Sequence, residues 1–199
     1  MRYNDSSMIT AAPKRIRFTV DEYLRMSEAG IFDDRRVELL DGRIYKVLAQ
    51  SNPHRTAVTK INLMLGRHFG DTSKFWPLCQ STCILERYDA PDPDLYVLDV
   101  PIGTPDENLP IPFLVIEVSY STYKRDSGLK LRRYAAAGVK DCWIVNIPVK
   151  RVEVYRDPEN PTGRKRDWRY RAPRHYGINS KIKLLEFPKM ELTVRDMLP

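Results

Sequence analysis

The residues best able to do chemistry lie in the middle of the chain, and Glu117 leads them. It interrupts Phe113-Leu114-Val115-Ile116-Glu117-Val118-Ser119, the most apolar run present. A run apolar on both faces marks a central strand covered on both sides. A charged, unpaired carboxylate there costs several kcal/mol. A basic partner, a raised pKa or a metal ion would offset that cost, and taken alone Glu117 also fits a structural ion pair. Asp94 opens a second short strand in Pro91-Asp92-Pro93-Asp94-Leu95-Tyr96-Val97, where the prolines set the entry. An adjacent strand would bring Asp94 to Glu117, and two carboxylates that close repel unless a cation lies between them. Oxygen ligands with room for water and a phosphate oxygen suit Mg²⁺ or Mn²⁺, not zinc. Taken alone Asp94 also fits an Asx-type turn before the strand, a role that Asp92 fits better. Asp126 and Lys130 follow, four apart on the helix expected after the Glu117 strand and therefore on one face. As a plain surface pair they would contribute only about 0.2–0.5 kcal/mol. With its ammonium turned back to the strand end, Lys130 would instead position an attacking water and stabilise charge on a phosphorane-like transition state.

Those side chains need a scaffold, and the pattern around them supplies one. Thr19 followed by Glu22 forms a capping-box signal for a short helix, Val20 to Glu28, with Gly30 as its stop. Val37 to Val47 is two β-prone runs around Asp41-Gly42, a two-residue hairpin signal. Ser51 or Asn52 caps a helix with Pro53 at its first position, and Val58, Ile61, Leu65 and Phe69 recur at helical spacing. Strands are expected at Leu78 to Glu86, Asp94 to Leu98, Asp141 to Ile147, Val152 to Tyr155 and Ile182 to Phe187. Arg125 to Ala137 reads as a helix with Leu129, Tyr134 and Ala135–Ala137 inward and Gly138 closing it. Asp157 to Ser180 reads as turn-rich and basic, and a last turn falls around Leu192 to Leu198. Strands flanking a βαβ-like centre imply an α/β domain with a mixed sheet, spanning residues 16–199 after a loose arm at 1–15.

Composition narrows the function classes. With 199 residues, 42% apolar and 30% charged, the chain can bury a core. Its three cysteines are too few for a disulfide framework, and Cys79 and Cys83 lack the second pair that a zinc site needs. The first 17 residues are polar and basic, and no stretch reaches the roughly 20 apolar residues of a membrane span, so a cytoplasmic location is expected. Residues 150–183 carry 11 Lys/Arg against 4 Asp/Glu, an excess as large as the net charge of +7 for the whole chain. Such a basic region favours a polyanionic partner. Arg164, Lys165, Arg166, Arg169 and Arg171 are its candidate phosphate contacts. Trp168, Tyr170 and Tyr176, interleaved there, either stack on bases or cover the sheet. His54, His68 and His175 are scattered and read as surface or helix-packing residues. No nucleophilic-serine context and no Walker-type glycine loop is present.

Four segments, in order, resemble the Uma2 endonuclease family of the PD-(D/E)XK nuclease superfamily. They are Val37 to Ile44, Pro93-Asp94-Leu95, Leu114 to Ser119, and Asp126 through Lys130, Tyr134 and Gly138-Val139 to Trp143-Ile144-Val145. The likeness spans about residues 18–156. It implies a restriction-endonuclease-like mixed sheet flanked by helices, with an N-terminal helix and hairpin, and a Mg²⁺- or Mn²⁺-dependent endonuclease acting on DNA, or RNA. By this resemblance Asp94 and Glu117 are the metal-binding carboxylates, and Glu38 completes the acidic cluster directly or through water. The superfamily lysine usually stands two residues after the glutamate, where this chain has Ser119. The family's helix lysine maps to Lys130, with Asp126 and Tyr134 supporting it. Asn146, where the family pattern leads to Asp, is expected to affect only a turn. The missing lysine at 119 and the basic 150–183 region also motivate a different reading, a catalytically silent nucleic-acid- or protein-binding module on the same fold. Cleavage of both strands would suit a homodimer with two-fold symmetry.

Overall fold

Thr19 and Glu22 close a reciprocal capping box, and helix α1 (Val20–Glu28) starts from it. Gly30, at φ 74°, lies just past the last turn and stops it. The computed structural model describes residues 15–70 and 74–199, so the expected arm at 1–15 lies outside the described residues apart from Arg15. Strands β1 (Val37–Leu40) and β2 (Arg43–Lys46) form the expected antiparallel hairpin. Its two turn residues, Asp41 and Gly42, both take positive φ (52° and 71°), as a primed turn requires. Helix α2 (Asn52–His68) has Ser51 as its N-cap and Pro53 in its first turn, and it buries Val58, Ile61 and Leu65, with Phe69 just beyond.

The main sheet begins with β3 (Trp76–Cys79), β4 (Leu95–Leu98) and β5 (Leu114–Ser119). Helix α3 (Tyr123–Arg125), a π-helical turn (Asp126–Lys130) and α4 (Leu131–Ala137) then cross to β6 (Asp141–Asn146), which pairs parallel with β5. β7 (Arg151–Arg156) follows, then the short pair β8 (Pro158–Glu159) and β9 (Arg169–Tyr170), and β10 (Arg174–Gly177). The sheet order is β10-β7-β6-β5-β4-β3, antiparallel everywhere except β5–β6. The chain ends in the pair β11 (Lys181–Lys183) and β12 (Glu191–Thr193) and the turn of helix α5 (Val194–Met197).

Strand alternation sorts the core into two layers. Leu114, Ile116 and Val118, with Trp143 and Val145 of β6, face Ile61 and Leu65 of α2 and the C-terminal Ile182, Leu192 and Met197. Val115, Cys142 and Ile144 face Leu131, Tyr134 and Ala135 of α4, together with Tyr170. A smaller cluster of Val20, Tyr23, Leu39 and Ala90 seats α1 and the hairpin. Each fully buried Leu, Ile or Val contributes roughly 1.5–3 kcal/mol, so both faces of β5 hold it in place. By the same period of two, Glu117 falls on the α4 side of the sheet.

Several expectations change. The strand expected at Leu78–Glu86 ends at Cys79, because Gln80 takes φ 51° and leaves the pleat. Residues 157–180 are not merely turns, since β10 forms an edge of the main sheet against β7. Its polar sequence hid it, as an edge strand facing solvent shows little apolar alternation. The strand expected at Ile182–Phe187 is limited to Lys181–Lys183. Trp168 and Tyr176 pack against the core and Tyr170 is buried with its hydroxyl on the Val139 carbonyl (2.7 Å), so these aromatics cover the sheet. Cys79, Cys83 and Cys142 are free thiols, the last two buried. No helix among the described residues is long and apolar enough to cross a membrane.

Candidate active site

Register brings the acids together. In the antiparallel pairing of β4 with β5, Leu95 stands opposite Ile116, so Asp94 arrives at the end of the ladder beside Glu117. There its carboxylate takes the place of a ladder carbonyl: Val118 N–H donates to Asp94 Oδ2 at 2.9 Å. Glu38 comes from β1, which a bridge between Leu39 and Ala90 ties to the segment leading into β4. The Asp92 N–H donates to Glu38 Oε2 at 3.3 Å. The π-helical turn, a feature often found at functional sites, carries Lys130 inward. Its Nζ lies 2.6 Å from Glu117 Oε1, 3.4 Å from Glu38 Oε2 and 3.1 Å from the Asp92 carbonyl, to which it donates. Tyr134, one helical turn on, donates its hydroxyl to the same Glu117 Oε1.

Of the residues read from the sequence, Glu38, Asp94, Glu117, Asp126 and Lys130 line one pocket of about 50 Å³. Tyr134 stands behind it, fully buried. Asp126 has no hydrogen bond to Lys130; its Oδ2 accepts from Ser119 Oγ and Thr122 Oγ1, each at 2.6 Å. Ser119, where the superfamily lysine would stand, is thus buried and committed to Asp126. Asp92 makes no Asx turn; Thr82 Oγ1 donates to it at 2.9 Å and Arg36 Nε lies 3.4 Å away. Asn146 does more than shape a turn, donating to Glu153 Oε1 at 3.4 Å within a buried network. Arg164, Lys165, Arg166, Arg169 and Arg171 are exposed and do not line the pocket. They lie around the β8–β9 pair, where Arg169 and Arg171 meet Glu159 at 2.9 and 3.5 Å.

Two pocket residues that had no site role in the sequence reading, His54 being read there as a surface or helix-packing residue, touch the acids expected to hold the metal. His54 Nε2 lies 3.1 Å from Asp94 Oδ2, and Arg125 reaches Glu38 Oε1 at 3.5 Å. A signal for His54 existed: it stands four residues before Val58, on the stripe that α2 buries, so its ring had to face the sheet. Arg125 carried no such signal.

The electrostatics favour added positive charge. Burial pushes the Glu117 carboxyl up to about 8, and Lys130 only partly opposes it. Burial likewise raises Asp92 and Asp126. Burial works against the Lys130 ammonium, yet Glu117 and Glu38 hold its pKa above the ordinary value. Glu38 Oε1 is buried without a hydrogen bond. The carboxylates of Asp94 and Glu117 make an oxygen donor pair of the kind that suits a hard divalent ion, which commonly uses one or two carboxylates and completes its shell with water and phosphate. Among the described residues no three His, Cys, Asp or Glu side chains already stand as a preformed cage. The fit is therefore with a two-carboxylate site at Asp94 and Glu117, where Glu38 is engaged by Lys130 and Arg125.

Comparison with known proteins bears on the family and the fold. The Uma2 family model, described as "Putative restriction endonuclease", matches residues 20–195. No curated protein matches. A solved structure from Anabaena variabilis ATCC 29413, titled as a putative nuclease belonging to DUF820, superposes with a TM-score of 0.67 at 14% identity, covering 90% of this chain and 97% of that one. The fold is restriction-endonuclease-like, a mixed central sheet flanked by helices.

Proposed function

The chain belongs to the Uma2 family, and from the pocket described above we propose that it is a divalent-metal-dependent endonuclease that hydrolyses phosphodiester bonds in DNA. One observation carries the reading. Asp94, Glu117 and Lys130 come from three separate elements and meet at one pocket, with the lysine ammonium 2.6 Å from the glutamate. Asp94 and Glu117 would hold Mg²⁺ or Mn²⁺, with Glu38 completing the acidic cluster through water. When bound, the cation supplies Lewis-acid polarisation of a phosphoryl oxygen and a lowered pKa for a water. Lys130 sets a positive charge at the strand end, where it orients the attacking water and balances charge developing on the phosphate. Tyr134 fixes the Glu117 rotamer from behind. Asp126, bonded to Ser119 and Thr122, anchors the first turn of the helix that carries the lysine. The exposed arginines near β9 would contact the phosphate backbone and set register without reading sequence.

The test is nicking of supercoiled plasmid with Mg²⁺ or Mn²⁺, and of a matched RNA, against a chelator control. Asp94→Ala and Glu117→Ala are expected to abolish cleavage while leaving the protein folded; full activity in both would end the proposal. A second reading rests on Ser119, which leaves the strand without its usual lysine. A silent nucleic-acid-binding module would bind DNA with a steep salt dependence and cleave it under no divalent ion.

A further inference from the structure

His54 is built into the pocket more firmly than a packing residue needs to be. Ser51 Oγ accepts from the His54 backbone N–H at 3.5 Å, and Pro53 precedes it, so His54 sits in the capped first turn of α2. The ring follows the buried stripe toward the sheet, leaving 12% of the side chain exposed. Its Nε2 lies 3.1 Å from Asp94 Oδ2, the oxygen that also accepts the Val118 N–H at 2.9 Å. A carboxylate oxygen only accepts, so the ring hydrogen belongs on Nε2. Nδ1 is then a bare lone pair, which suits its position: it is buried and has no partner among the described residues. A buried acceptor without a partner is tolerated better than an orphan N–H. Two donors on Oδ2 leave Oδ1 lightly engaged, met by the Gln80 amide at 3.5 Å.

We propose that His54 is a positioning residue: together with the Val118 N–H it locks the Asp94 carboxylate so that Oδ1 is left for a divalent cation. The inference rests on the metal-dependent reading above and adds a residue that acts through Asp94 rather than on the cation itself. Partners that orient a ligand in this way typically carry about 10–100-fold in metal affinity.

The experiment measures Mn²⁺ binding at equilibrium, without DNA, by calorimetry and by the electron-spin signal of free Mn²⁺. Wild type is compared with His54→Ala, His54→Gln and His54→Asn, and His54→Ala is repeated in an Asp94→Asn background, with thermal melts confirming that each variant is folded. His54→Ala is expected to weaken Mn²⁺ by about 10-fold or more. His54→Gln places an amide donor near the position of Nε2 and recovers most of the loss. His54→Asn, whose amide falls short, behaves like the alanine variant. With Asn at 94 there is no carboxylate to lock, so His54→Ala adds nothing. The spin-echo spectrum of Mn²⁺ on the wild type shows no directly coordinated nitrogen. Wild-type affinity in His54→Ala, a glutamine variant no better than alanine, or a nitrogen bound to Mn²⁺ would each overturn the proposal. The spectrum decides even where a variant fails to fold. A wild type that binds no Mn²⁺ overturns the nuclease reading as well, whereas intact binding unaffected by His54→Ala removes this inference alone.

Discussion

Lys130→Met keeps the stem of a side chain that is only 2% exposed and removes its charge. At an effective dielectric of about 20, the ammonium attracts Glu117 at 2.6 Å by about 6 kcal/mol and Glu38 at 3.4 Å by about 5 kcal/mol. Desolvation of the buried ions opposes most of this, and breaking such a pair costs about 3–5 kcal/mol net because a carboxylate is left uncompensated. Against a total stability of about 5–15 kcal/mol the variant should fold but unfold early in denaturant. Urea unfolding at about pH 9, above the raised Glu117 value so that the carboxylate is charged, and without divalent ions, on Lys130→Met, Glu117→Gln and the double variant, measures it. Glutamine at 117 needs no counter-charge, so the double variant should recover about 2–3 kcal/mol relative to the sum of the singles. The recovery is partial, since Glu38 also loses one of its two cationic neighbours and keeps only Arg125. A Lys130→Met loss below about 1 kcal/mol, or strict additivity in the cycle, would refute the claim that this lysine neutralises the acid cluster.

Three further outcomes follow from the geometry. Tyr134→Phe removes the buried donor to Glu117 and should lose about 1.5–3 kcal/mol in urea unfolding; a neutral result would mean that the hydroxyl does not hold the carboxylate. Burial raises the Glu153 carboxyl, but donors on Tyr155, Arg151, Tyr123 and Asn146 outweigh it and hold it below its ordinary value. A lowered folded pKa stabilises above the unfolded value of about 4.3 and loses that contribution as pH falls through the folded value. Glu153→Gln should therefore flatten the acid limb of the melting temperature below about pH 4, and an unchanged limb would contradict the network. Gly42→Ala puts a side chain at φ 71° and a Cβ 2.6 Å from Arg17 Cβ, so chemical denaturation should show a loss of about 1–2 kcal/mol or more.

What could be read without coordinates was local. The Asp41-Gly42 turn, the Thr19–Glu22 box and the Val58–Ile61–Leu65 stripe each depend on residues within one or two turns of one another. The backbone preferences that create them act at that range. Glu117 in an apolar run announced itself for the same reason, as a charge where local pattern demands none. The short basic strands of residues 157–180 stayed hidden because a solvent-facing edge imposes little alternation on its sequence. Only tertiary structure decided who meets whom at the pocket. The β4–β5 register delivers Asp94 to the Val118 N–H, the Leu39–Ala90 bridge delivers Glu38, and a π-helical turn carries Lys130 onto Glu117 in place of a lysine on the strand. Partners such as His54 with Asp94, forty residues apart, are set by sheet register and helix packing, which sum many weak contacts along the whole chain. No short window of sequence contains that sum.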